Sequence, residues 1–81
     1  MIAAELLKLM CCPETYQELR FAEDTLIADL NRRIEQRTLK NRSGEMTSEK
    51  IDGGLLRADG KLLYPVRRDI PVLLVEEAIP L

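Results

Sequence analysis

The sequence predicts an α+β domain: a small antiparallel sheet of three to four strands, an N-terminal helix and an inserted second helix. Three observations predict it. Residues 54–66, GLLRADGKLLYPV, set two apolar runs on either side of Asp59-Gly60, and Asp-Gly supplies the positive φ angles that tight hairpin turns require. Residues 24–40 place apolar side chains at helical spacing. Glu18–Ala22 alternates polar and apolar residues, as a half-buried strand does. Eighty-one residues make one domain, 1–81, with no room for a second.

Taken in order, Ile2, Leu6, Leu7 and Met10 recur near helical spacing, so residues 3–10 read as a short amphipathic helix. Pro13 stops it, because the residue before a proline avoids the helical region. Glu14 and Thr15 turn the chain into the strand at 18–22, with Leu19 and Phe21 directed to one side. Asp24 or Thr25 caps the second helix. Its apolar stripe is Leu26 or Ile27, then Leu30 and Ile34; Arg32, Arg33, Glu35, Gln36 and Arg37 lie opposite, and it should end near Thr38–Asn41. The polar stretch NRSGEMTSEKIDGG reads as a mobile connection. After the hairpin, Pro65 belongs at a strand end or on an edge, since it lacks a ladder donor. Arg67-Arg68-Asp69 makes a polar turn, and Ile70–Val75 is a further strand or an extended docking segment.

The composition, 46% hydrophobic and 32% charged, excludes global disorder. Tyr16, Phe21 and Tyr64 are the only aromatic residues, so the core is built from Leu, Ile and Val. The net charge of −2 implies no overall attraction to nucleic acid or membrane. The charge is unevenly spread: residues 30–42 hold five basic side chains, Arg32, Arg33, Arg37, Lys40 and Arg42, and one acidic, between acidic flanks. A solvated helix face is the leading reading of that run, and contact with RNA or an acidic partner is the alternative. The apolar start MIAAELLKLMCC is too short to span a bilayer and is interrupted by Glu5 and Lys8. It lacks the charged start of a secretory signal, so the cytoplasm is the expected location.

Catalytic chemistry finds little to work with. The chain has no histidine, the commonest general base. Cys11 and Cys12 are its only cysteines; adjacent cysteines close no useful loop and cannot by themselves make a four-ligand zinc site. Two small residues plugging the core is their leading reading, with reactive thiols the alternative. The carboxylate pairs Glu23-Asp24 and Glu76-Glu77 read as solvated. There is no glycine-rich phosphate loop and no nucleophile elbow. The expectation is therefore a non-enzyme with no catalytic residues, no cofactor and no metal.

Two stretches carry a family resemblance. LLKLMCCPET near the N-terminus and Tyr64-Pro65-Val66-Arg67-Arg68-Asp69-Ile70-Pro71-Val72-Leu73-Leu74 resemble the small YcaR-like bacterial proteins and the related activator subunits of tRNA and protein methyltransferases (Trm type). That family opens on Cys-Pro-x-Cys and closes near Tyr-Pro-Val-Arg-Asp-Gly-Ile-Pro-Val-Leu-Leu. Here Cys12-Pro13 matches the first pair, while Thr15 stands at the second ligand position and Arg57 where a later cysteine often lies. Arg68-Asp69 replaces Asp-Gly, and the helix at 24–40 is an insertion relative to the shortest members. The resemblance thus implies a zinc-ribbon-like scaffold without its zinc.

It also implies a role. In the resembled activators an apolar surface that includes the closing segment docks on the methyltransferase. The expectation is a non-enzymatic accessory or adaptor protein that binds and stabilises a protein partner, a methyltransferase by the resemblance. The apolar edge would be formed by Leu62, Tyr64, Pro65, Val66, Ile70, Pro71, Val72, Leu73 and Leu74. An exposed strand edge is a template for strand addition. The alternatives are an RNA-associated protein using the basic run 30–42, with weak or indirect contact, and a homodimer joined through the same apolar segment. No membrane partner is expected.

Overall fold

A computed structural model describes residues 11–47 and 49–81; the expected helix at 3–10 lies outside them. Five strands form one antiparallel sheet: β1 (Leu19–Phe21), β2 (Gly53–Arg57), β3 (Leu62–Arg67), β4 (Ile70–Pro71) and β5 (Ile79–Pro80). The helix α1 (Asp24–Glu35) joins β1 to β2, and a single 3-10 turn (Val75–Glu77) joins β4 to β5. The order across the sheet is β1-β2-β3-β4, and β5 pairs with β3 beside β4. The chain is an α+β domain with a small sheet, as its patterning predicts.

β3 is the central strand, and its residues explain that place. LLYPV is apolar without interruption, and all five side chains are buried. A strand covered on both faces needs such a run. Alternation of side chains divides the interior in two. Leu62, Tyr64 and Val66 join Cys12, Leu19, Leu55 and Ala78 on one face. Leu63 joins Ile27, Leu30, Ile34, Leu39, Ile51 and Ile79 on the other, under α1. The helix stripe is thus Ile27, Leu30 and Ile34, with Leu26 half-buried beside it.

Pro65 lies inside β3, opposite Gly54 of β2, and not at an edge or strand end as its missing donor suggests. The register accounts for this. The Pro65 carbonyl accepts the Val72 N–H at 2.9 Å, so its nitrogen also faces the β4 side. There β5 pairs only as far as Leu63, and the pairing with β4 begins at Val66. The absent N–H falls in the interval between them.

The β2–β3 hairpin forms where Asp59-Gly60 marks it, but Asp59 keeps a negative φ. Gly60 alone is left-handed, at φ +72, and its N–H bonds to the Arg57 carbonyl at 2.8 Å. Four residues connect the strands, so a turn with one left-handed position replaces the two-residue turn. The β3–β4 hairpin is the tighter one: Arg68 and Asp69 both take positive φ, +52 and +61. A two-residue turn of type I′ requires this of both central residues, and neither is glycine.

Three further expectations need correction. β1 buries Leu19 but leaves Phe21 at 38% exposure, because Phe21 lies at the open end of an edge strand. The 70–75 strand is only Ile70–Pro71, since Pro65 has no N–H to continue the ladder and β5 takes the places beside Leu62 and Leu63. α1 ends at Glu35, before the expected 38–41. Thr38 N–H reaches back to the Arg33 carbonyl at 3.0 Å and Arg37 N–H to Ile34 at 3.0 Å. These two bonds make a Schellman cap, with Arg37 at φ +57 in the left-handed position usually held by glycine.

Beyond the cap the described residues of the polar segment are hydrogen-bonded at several points. The Asn41 side chain accepts bonds from the Ser43 hydroxyl and the Glu45 N–H. Arg42 and Ser43 N–H groups bond to the carbonyls of Ala78 and Glu76. Asn31 of α1 clamps Ile51 with two bonds, at 2.8 and 2.9 Å. Turn-forming residues here serve local hydrogen bonding.

Two substitutions test these assignments. Arg37→Gly relieves a left-handed side-chain residue and should raise unfolding stability by about 0.5–1 kcal/mol in urea denaturation. At Gly54, a Cβ would approach Leu63 side-chain atoms at 2.7–2.9 Å. Gly54→Ala should therefore lower stability by about 1–3 kcal/mol.

Candidate functional site

The nine residues expected to form a docking edge divide in two. Leu62, Tyr64, Pro65 and Val66 are core residues, with exposures of 6% or less. They cannot line a surface, because β3 has strands on both sides and packed layers on both faces. The sequence pattern did not separate a buried strand from an apolar edge. The other five run along the border of the sheet. Ile70 is 64% exposed and Leu74 58%. Pro71, Val72 and Leu73 are half-buried, and Leu73 packs against the Tyr64 side of the core.

The backbone of this border is partly blunted. Val72 gives its N–H to Pro65, so Pro71 and Leu73 present their polar groups outward. Pro71 has no N–H to offer. An incoming strand would find carbonyls at Pro71 and Leu73 but one donor, from Leu73. Side-chain contact with Ile70 and Leu74 therefore carries more of any docking there than a backbone ladder.

A second cluster lies where the start of the described chain meets β2 and β3. Tyr64 is the largest fully buried side chain, and a buried phenol needs a partner. Cys12, also fully buried, meets it with Sγ 2.9 Å from the hydroxyl. The Arg57 guanidinium, only 11% exposed, lies 3.9 Å from the same sulfur. Arg57 also pairs with Asp59 at 2.8 Å and Glu14 at 3.4 Å, and Glu14 pairs with Arg42 at 2.5 Å.

These contacts set the protonation of the cluster. Burial pushes the Cys12 thiol up, but hydrogen bonds to Tyr64, to Thr15 and to the backbone at Thr15 and Glu14 outweigh it and bring it down to about 6. Burial and the bond to Cys12 push Tyr64 up, consistent with the phenol donating to a thiolate. The Arg57 hydrogen bond, then the Lys61 N–H, hold Asp59 down at about 2. Glu14 is lowered chiefly by its bond to Arg42.

Cys12 does occupy the core, as a packing reading expects, yet its sulfur is hydrogen-bonded there to Tyr64 rather than serving as a purely apolar plug. Cys11 beside it is half-buried. The signal available in sequence was Tyr64 itself: a phenol within an aliphatic run must find a polar partner. Among the described residues no group of three or more Cys, Asp or Glu is arranged to hold a metal ion.

Three of the five basic residues of the run, Arg32, Arg33 and Arg42, are in ion pairs. Arg32 and Arg33 both pair with Asp29, at 2.5 and 3.0 Å, and Arg42 with Glu14. No helix among the described residues is long and apolar enough to cross a membrane.

The Cys12 shift has a pH signature. A folded-state value of about 6 against the usual 9.0 contributes stability that is full above pH 9 and lost as pH falls through 6. Tyr64 acts in the opposite sense, but only above its ordinary value of 10.0. Unfolding free energy should thus rise between pH 6 and 9 in urea titrations, and the rise should shrink in Tyr64→Phe.

No family model matches the sequence, and no curated protein matches it. Among solved structures, the solution NMR structure of XF2673 from Xylella fastidiosa is similar at 33% identity, with a TM-score of 0.76. The match covers 98% of this chain and 81% of that one. At that identity and coverage, the chain belongs to the same family as the Xylella fastidiosa protein.

Proposed function

We propose that the chain is a non-enzymatic accessory protein that docks on a protein partner through the sheet border at Ile70–Leu74. The observation that carries this reading is the exposure of Ile70 and Leu74 within an otherwise apolar run at the end of the sheet. Large aliphatic side chains held out by a short strand are costly in water and favour burial against a partner. The interior residues Leu62, Tyr64, Pro65 and Val66 hold that border in place and make no contact with the partner themselves.

By its resemblance to the activator subunits, the partner is a methyltransferase. One geometric fact supports that kinship. The positions where the resembled family carries zinc ligands, here Cys12, Thr15 and Arg57, converge: Cys12 bonds to Thr15, and Arg57 lies 3.9 Å from its sulfur. A zinc-ribbon-like scaffold in which ion pairs take the metal's place accounts for this convergence. The same cluster lies within the cytoplasmic reading of the chain, where free thiols persist.

The test is co-purification of the tagged chain from its native host, read by mass spectrometry. A methyltransferase should be enriched with the wild-type chain. Ile70→Asp combined with Leu74→Asp should weaken that association at least tenfold, as loss of an interface anchor does, while leaving the far-ultraviolet dichroism unchanged. A partner retained equally by the double variant would place the docking surface elsewhere.

A further inference from the structure

We infer that Pro71 and Pro80 close the outer side of the sheet to strand addition, so that a second copy of this chain does not pair with it there. β4 and β5 run in the same direction along one side of β3, β4 beside Val66 and Arg67 and β5 beside Leu62 and Leu63. Together they make one edge. It is open to water at Ile70, 64% exposed, and at Leu81, 48% exposed. An aliphatic edge of this kind is a template on which another chain can lay a strand. The inference goes beyond the accessory-protein reading and does not rest on it. It concerns backbone groups, whereas docking there uses the side chains of Ile70 and Leu74.

Register decides which backbone groups the edge presents. In an antiparallel pair the N–H and C=O of alternate residues point to one neighbour, and those of the residues between point away. Val72 gives its N–H to the Pro65 carbonyl at 2.9 Å, so Pro71 before it points away from β3, as does Leu73 after it. Leu81 gives its N–H to the Lys61 carbonyl at 3.0 Å, so Pro80 before it points away as well. Two of these three outward residues are prolines, each with a carbonyl and no N–H. Between the two strands Ala78 is closed by other means. Its N–H bonds to the Val75 carbonyl at 3.2 Å, and its carbonyl takes the Arg42 N–H at 2.8 Å.

A proline is tolerated in a sheet where its nitrogen faces solvent, and both prolines of this edge stand at such a position. A ladder takes a donor and an acceptor from every second residue of the edge. Here Pro71, Leu73 and Pro80 offer three carbonyls and a single N–H, that of Leu73. A strand laid along the edge would therefore leave its own carbonyls without donors beside Pro71 and Pro80. A second copy meets the same deficit from both sides, because a two-fold contact sets one edge against itself. The aliphatic side chains of the edge thus stay available while its backbone is withheld.

The experiment restores both donors, with Pro71→Ala and Pro80→Ala combined in the full chain. Sedimentation equilibrium should show the double variant associating with itself at least tenfold more tightly than the wild-type chain. In spectra of the 15N-labelled variant, the two restored amides should become protected from solvent exchange as concentration rises, which marks paired strands. Pro13→Ala removes a proline outside the sheet and should associate no more than the wild-type chain. If the double variant does not fold, Pro80→Ala alone carries the test, with its restored amide as the probe and the same direction of change. Association no tighter than wild type overturns the inference. So does tighter association in which the restored amides still exchange freely, since side chains alone would then make the contact. Equal association of Pro13→Ala overturns it too, by showing a general effect of losing a proline. None of these results depends on a partner binding at Ile70 and Leu74, so either reading can fail while the other stands.

Discussion

The contact between the Tyr64 hydroxyl and the Cys12 sulfur is the interaction on which the rest of this structure depends. Tyr64 stands in the central strand and is the largest side chain removed entirely from water. Leaving its hydroxyl without a partner would cost about 1–3 kcal/mol, a large share of a small domain's stability. Cys12 supplies the partner from 52 residues away in sequence. That bond draws the chain before β1 over the face of the sheet that α1 does not cover. Arg57 then ties the sulfur to Glu14 and Asp59, so the closure reaches from the core to the surface.

The two faces of the sheet are thus held by different means. Under α1 the packing is aliphatic, with Ile27, Leu30 and Ile34 over Leu63 and Ile79. On the other face there is no helix among the described residues, and a polar junction of thiol, phenol and guanidinium does part of the work. Leu73 leans on this second face, which is how the junction positions the border strand. Ile70 and Leu74 stay outside because the residues between them are anchored inward at Val72 and Leu73. The proposed docking surface is in this sense a consequence of the core.

What was legible in the sequence follows from the range of each signal. The β2–β3 hairpin, α1 and its stripe were readable because turn chemistry and helical spacing are local. The end of α1 was not, because Arg37 takes a left-handed conformation that favours glycine. β5 and the placement of Pro65 were hidden because both depend on which strands flank β3. For the candidate site, the apolar run 62–74 was visible as one block. Only the register divides it into buried β3 and exposed border, since burial on both faces and exposure at an edge use the same residues. The Cys12–Tyr64 pairing joins residues 52 positions apart and has no local signal beyond the need of a buried phenol.

The most direct test of this account is a double-mutant cycle between Cys12→Ala and Tyr64→Phe, followed by urea unfolding at pH 8. If the two side chains act as one junction, the losses are non-additive, with a coupling energy of about 1 kcal/mol or more. Losses that add to within about 0.3 kcal/mol would contradict it, and would leave the uncovered face of the sheet held by aliphatic packing alone.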